Sequence, residues 1–161
     1  DDFFADEHVL AKVAEAFKEP GVEAVYGDLQ YVSKENTDKV IRYWQSGQYS
    51  PDLLKKGWMP PHPAFFVKKE LYEKFGSFDL TYKIAADYDL MMRFLGLHKV
   101  VPKYIPHVLC KMRVGGESNK SLKNIWLKSR EDLRVMKTNK IGGLGTLFMK
   151  NFSKISQFLK K

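Results

Sequence analysis

One stretch constrains the fold more than any other. An apolar run, Ala64-Phe65-Phe66-Val67, precedes a helix-like segment from Lys68 to Phe75 that Gly76 stops. A second helix then opens at Ala85-Ala86-Asp87-Tyr88-Asp89-Leu90. Leu90, Met91, Phe94 and Leu95 recur at the three-to-four spacing of one helical face, so that face must be buried. Asp87 stands three and four residues before Leu90 and Met91 and sits above the same face. A carboxylate there has two uses. It caps the helix by accepting orphan backbone N–H groups, or it lines a cleft and does chemistry. Asp89 is turned away from the face, four residues before Arg93, and reads as half of an ordinary surface ion pair.

Around this stretch, helical and strand periodicities alternate. Asp6 to Phe17 predicts a helix with Val9, Leu10, Val13, Ala14 and Phe17 on one side, ended by Pro20-Gly21. Val22 to Val32 is strand-like with an interruption expected at Gly27-Asp28, and Val40 to Trp44 reads as its hairpin partner. Pro51 to Lys56 gives one or two helical turns. Lys99 to Val101 and Val108 to Val114 read as short strands. Asn119 to Lys137 predicts an amphipathic helix with Leu122, Ile125, Trp126, Leu133 and Met136 inward. Gly142, Gly143 and Gly145 suggest a linker. Beyond them Leu147, Phe148, Phe152, Ile155, Phe158 and Leu159 share a face, with Lys150, Lys154, Lys160 and Lys161 elsewhere. The pattern favours an α/β class with a mixed sheet. It comprises a body over 1–117 and a basic helical extension over 118–161.

Charge supports that division. The chain has 27 Lys and Arg against 19 Asp and Glu, a net +8, and residues 118–161 hold 11 of the bases but 2 of the acids. The body therefore carries 16 against 17 and is near neutral. A globular body with a basic tail differs from a basic nucleic-acid-binding domain. No apolar run reaches the roughly 20 residues that span a bilayer, and no signal peptide is seen. The single cysteine, Cys110, forms no internal disulfide and points to a reducing compartment. His98, His107 and Cys110 lack metal-ligand spacing and read as structural. Neither a Ser–His–acid signature nor a phosphate-binding glycine loop of the nucleotide-hydrolase kind is present.

The residues from Gly57 to Arg93 resemble the second half of a family 2 glycosyltransferase with the GT-A fold. The matching features are the Pro-rich loop with His62, the strand Phe65-Phe66-Val67, and the helix ending Phe75-Gly76. Phe78-Asp79 and Ala86-Asp87-Tyr88-Asp89-Leu90 with Arg93 complete them. Where the family has an acidic-Asp pair, this chain has Ala86-Asp87. The opening Asp1-Asp2 is similar to the end of the family's metal-binding motif. The resemblance covers about residues 1–117. The chain has no initiator Met and reads as cut from a longer one. The fold implied is a partial, Rossmann-like GT-A sheet whose nucleotide-binding half lies elsewhere.

The resemblance implies an inverting, single-displacement transfer from a nucleotide-sugar donor to a saccharide or lipid-linked hydroxyl acceptor, in synthesis of cell-surface polysaccharide or glycolipid. Asp87 is then the base that takes the acceptor proton, and Asp2 the ligand of Mg²⁺ or Mn²⁺, which suit hard oxygen donors. Asp1 contacts the sugar or ribose. The Gln-Xaa-Xaa-Arg-Trp motif of processive synthases is missing, which favours addition of one sugar over polymerisation. His62, held between prolines, is either an acceptor or phosphate contact or a structural histidine. Trp58 either stacks on a sugar or packs the loop. Arg113 and Ser118 flank Gly115-Gly116 and either donate to phosphate oxygens or belong to a turn before a helix capped by Ser118 or Asn119. The resemblance implies a cytoplasmic enzyme whose basic amphipathic tail either lies on the inner face of the membrane or packs on the body or a partner chain and keeps its lysines wet. The competing class is a non-catalytic basic domain that binds anionic membrane or nucleic acid. No oligomeric state can be read from the residues.

Overall fold

The computed structural model describes residues 2–114 and 122–153. Strand β1 (Asp2–Phe4) leads to helix α1 (Val9–Phe17), then β2 (Ala24–Val32) and β3 (Val40–Trp44). A short α2 (Pro51–Lys55) precedes β4 (Phe65–Val67), α3 (Lys69–Phe75) and α4 (Ala86–Met91). The long β5 (Lys103–Arg113) is followed by α5 (Leu122–Thr138) and α6 (Leu144–Ser153).

The five strands form one mixed open sheet in the order β1-β5-β2-β3, with β4 also on β2. β2 and β5 run parallel, and every other pairing is antiparallel. β2 is the spine. Its Ala24, Val25, Tyr26, Leu29 and Val32 are all fully buried, as expected of a strand covered on both faces. One edge of β2 is shared by two partners: Ala24 to Tyr26 pair with β4, and Leu29 to Val32 with β3. Gly27 and Asp28 fall between them, where the pairing with β5 also shifts register. The strand thus runs through Gly27-Asp28 but is irregular there.

Helices cover both faces. Val9, Val13 and Ala16 of α1 pack on Val25, Leu29 and Leu109. The apolar stripe Leu90, Met91, Phe94 and Leu95 forms the second core with Leu54, Leu71, Val135 and Met136. The helix begun as α4 widens into a π-helical turn over Met92–Leu97, and the His98 N–H reaches back to the Arg93 carbonyl at 2.8 Å. Lys99 then adopts a left-handed φ of 58°. The predicted strand over Lys99–Val101 is therefore replaced by a turn, and β5 begins at Lys103. Pro106 is accommodated where four residues of β5 span two of β2.

The two C-terminal helices bury faces other than those the periodicity gave. Of the expected stripe Met136 of α5 is in the core, joined by Val135, which lay outside that stripe, but Ile125 and Trp126 point outward, Trp126 being 64 % exposed. The expected glycine linker is short, since α6 starts at Leu144 and includes Gly145. Lys150, expected on the wet side of α6, is buried, whereas Phe148 and Phe152 are exposed.

Candidate active site

Asp87 occupies the first turn of α4, and the loop leading into that helix is held by a different carboxylate. The residue preceding α4 is Ala85, which has no side chain to cap with. Glu131 of α5 does the work from outside. One oxygen accepts the Lys83 N–H at 3.0 Å, and the other accepts the Ile84 and Ala85 N–H groups at 2.9 and 3.0 Å. Three donors of the turn into α4, the last of them the Ala85 N–H at the helix's N-cap, are thereby satisfied by one nearly buried acid. Burial opposes ionisation of Glu131, but these three amides outweigh it and lower its pKa.

Asp87 keeps one oxygen for its own helix and turns the other outward. Its Oδ1 accepts the adjacent Tyr88 N–H at 2.8 Å, and its Oδ2 lies 3.0 Å from His62 Nδ1. The Asp87 side chain is 28 % exposed and that of His62 51 %, so the pair opens to solvent instead of being sealed in the core. Burial pushes the Asp87 carboxyl up. The hydrogen bond and charge of His62, the Tyr88 N–H and the charge of Lys150 pull it down further, leaving it below the ordinary aspartate value.

His62 is presented by a stiff turn. It starts a single 3₁₀ turn, His62–Ala64, between Pro61 and Pro63. Ala64 anchors the turn, fully buried among Val25, Leu29 and Leu109. β4 follows at once and pairs Phe65 with Tyr26. The turn therefore lies on the carboxyl-terminal side of Tyr26 along β2. In open α/β sheets that is the direction in which ligands bind.

The scaffold behind Asp87 is polar and buried. Asp89, read from the sequence as a surface residue, is 3 % exposed. It binds Arg93 Nε at 2.8 Å and accepts from Asn139 Nδ2 at 3.1 Å. Arg93 in turn donates to the carbonyls of Phe75 and Ser77 at 2.7 and 2.5 Å. The surface-pair expectation is thus corrected. This is a buried clasp joining α4, the end of α3 and α5, because Asp89 lies on the side where α5 packs. On the next turn Lys150 of α6 places its ammonium 3.1 Å from the Tyr88 ring centroid and 2.9 Å from Asp132 Oδ2. Burial lowers its pKa to about 8, with Asp132 pulling the other way.

The remaining candidates are distributed as follows. Asp2 is exposed and pairs with Met112 at the carboxyl end of β5. Arg113, one residue on, stacks its guanidinium 4.7 Å over the Phe3 ring. Asp2 and Arg113 therefore share one rim of the sheet. Trp58 is half-buried against Tyr26 and Tyr49, and its indole N–H donates to the Ser46 carbonyl at 3.1 Å, so it packs the loop. Asp1 and Ser118 lie outside the described residues. His98 stacks on Phe75, and His107 Nε2 is 2.7 Å from Asp6 Oδ2. Burial raises the Cys110 thiol to about 11. Among the described residues no three His, Cys, Asp or Glu side chains converge as a metal cage. Asp2 stands with its carboxylate at an open rim of the sheet.

Three features have no counterpart in the sequence pattern. Glu131 and the Lys150–Asp132 pair sit in the segment whose charge looked purely superficial. Asp28 was noted only as an interruption, yet its buried carboxylate accepts Tyr43 Oη at 2.5 Å and the Ser46 N–H and Tyr104 Oη at 2.8 Å. The signal for it was an acid inside an otherwise apolar strand. Chemically, the arrangement offers an ionised, solvent-reachable carboxylate beside an imidazole, on a rigid mount, able to accept a proton from a bound hydroxyl. A scan against protein-family models and a search of curated proteins returned no match.

Proposed function

We propose that this chain is the acceptor-side part of an inverting glycosyltransferase that moves one sugar from a nucleotide-sugar donor to a hydroxyl of a saccharide or lipid-linked acceptor. One observation carries the reading. Asp87 holds the Tyr88 N–H of its own helix with one oxygen and keeps the other 3.0 Å from His62 Nδ1 at a solvent-open position, while Glu131 fixes the loop that leads into it. A carboxylate at a helix entrance with one oxygen beside an imidazole and open to solvent is placed for proton transfer.

In this reaction the acceptor oxygen attacks the anomeric carbon as its proton passes to an Asp87 oxygen. The new C–O bond forms while the bond to the diphosphate breaks, and the nucleoside diphosphate leaves with the electron pair. His62 donates to or charges against Asp87 Oδ2 and fixes the carboxylate plane, so that the proton-accepting lone pair has a defined direction. Arg113 stands on the rim where negative charge on a diphosphate would accumulate. Asp2 would hold Mg²⁺ or Mn²⁺, which when bound neutralises the charge of the leaving group.

The test uses the full-length parent with a panel of nucleotide sugars. Asp87→Asn should reduce turnover by about 10²–10⁴-fold, the range of a lost general base, with an unchanged circular dichroism spectrum. Turnover within a factor of about two of the parent's would remove Asp87 from the chemistry.

A further inference from the structure

We infer that α6 is a docking helix for an anionic lipid surface. Its outward side carries Leu144, Phe148, Met149 and Phe152, all exposed. Leu144, Phe148 and Phe152 follow one another at four-residue steps and so form one stripe. The rings of Phe148 and Phe152 touch, with centroids 4.6 Å apart. The helix has one charged residue, Lys150, and that residue points inward to Asp132 and Tyr88. An apolar stripe with no charge on the same helix to keep it wet is an interaction surface.

Charge identifies the partner. Residues 118–161 contain 11 Lys and Arg and two acids. Both acids are spent inside the fold, Glu131 on three backbone amides and Asp132 on Lys150. Arg130, Arg134, Lys137 and Lys140 are exposed. The charge that this segment shows to solvent among the described residues is therefore all positive. Exposed aromatic and aliphatic side chains on a segment whose solvent-facing charge is all positive match the interface of a bilayer with anionic headgroups.

The inner side of α6 touches the candidate site's own helix, since Lys150 lies on the ring of Tyr88, next to Asp87. Docking would therefore set that helix close to the lipid plane. That consequence rests on the transferase reading and favours a lipid-linked acceptor; the docking itself does not depend on it.

The experiment is cosedimentation of the full chain with vesicles of phosphatidylglycerol and phosphatidylcholine in equal parts, and with phosphatidylcholine alone. Binding is expected to the first, to be released by high salt, and to fall about tenfold or more in Phe148→Ser/Phe152→Ser. The double variant should melt like the parent, because both rings lie outside the core. Asp87→Asn should bind as the parent does, so loss of transferase activity and loss of docking are read separately. No binding to anionic vesicles would overturn the proposal, as would binding that the double variant retains. Self-association of the parent that the double variant abolishes, without vesicle binding, would assign the stripe to a second copy of the chain instead.

Discussion

Lys150 and Asp132 form a contact at 2.9 Å with each side chain only 3 % exposed, bridging α6 to α5 beneath the Tyr88 ring. Removing one partner strands the other charge in the interior. Lys150→Met or Asp132→Asn alone should cost about 3–5 kcal/mol, whereas Lys150→Met/Asp132→Leu should cost less than either. Urea denaturation of the three variants checks this. A single variant within about 0.5 kcal/mol of the parent would show that the pair does not fasten the helix.

Gly57 makes the approach of α6 possible. Its φ is +78°, and a Cβ there would meet Lys150 Cβ at 2.5 Å and the Thr146 carbonyl at 2.8 Å. Gly57→Ala should destabilise by about 2–5 kcal/mol, combining a left-handed backbone penalty with overpacking. Gly47 has a φ of +70° with nothing within 4 Å, so Gly47→Ala isolates the backbone cost at about 1–2 kcal/mol. Thermal melts of both should rank them in that order.

Glu131→Ala would leave three backbone donors without their acceptor. Each buried, unsatisfied N–H costs about 1–3 kcal/mol, although the loop can relax to recover part of it. Glu131→Gln retains acceptor capacity at only one oxygen and should fall between the alanine variant and the parent. Under the transferase reading both changes should also reduce kcat, because the loop they hold leads directly into Asp87. Hydrogen exchange at the amides of Lys83, Ile84 and Ala85 gives the structural readout.

Asp87 titrates below its ordinary value of 3.8 in the folded protein. The folded chain thus binds fewer protons than the unfolded one just below that pH. Its contribution to stability is complete above the unfolded value and is lost as pH falls through the folded value. Asp87→Asn should remove that part of the acid sensitivity. His62→Gln withdraws the two lowering influences of the imidazole, so the Asp87 pKa should rise. Carboxyl NMR titration would detect the rise, and the acid limb of kcat/KM should move upward with it. An unchanged limb would assign the titration to another group.

The sequence revealed the elements whose periodicity is locally determined. The β2–β3 hairpin, the Phe75-Gly76 stop and the stripe from Leu90 to Leu95 lie where spacing placed them, and α1 ends at Phe17 as expected but begins at Val9 and buries Val9, Val13 and Ala16 while Leu10 and Ala14 face solvent. Asp87 stood out for the same reason, as an acid over an apolar face. What stayed hidden depends on partners distant in sequence. Glu131 lies 46 residues from the Ala85 amide it caps, and no local pattern announces such a contact. Lys150 looked like a wet lysine because its neutralising acid belongs to another helix. The same holds for Trp126. A helix with apolar residues on more than one side does not say which side is covered, and α5 chose Val135 and Met136.

The middle strand β2 hands one edge from β4 to β3 at Gly27-Asp28, and the buried Asp28 carboxylate stitches the seam through Tyr43, Ser46 and Tyr104. The connection from residue 45 to residue 61 departs and returns at this seam. Ser46, Leu54 and Gly57 pin it to Asp28, to the core and to α6, so changes are tolerated only at its exposed positions, such as Gln48, Ser50, Asp52, Lys55 and Lys56, where no rung of the sheet and no part of the mount of Asp87 is touched.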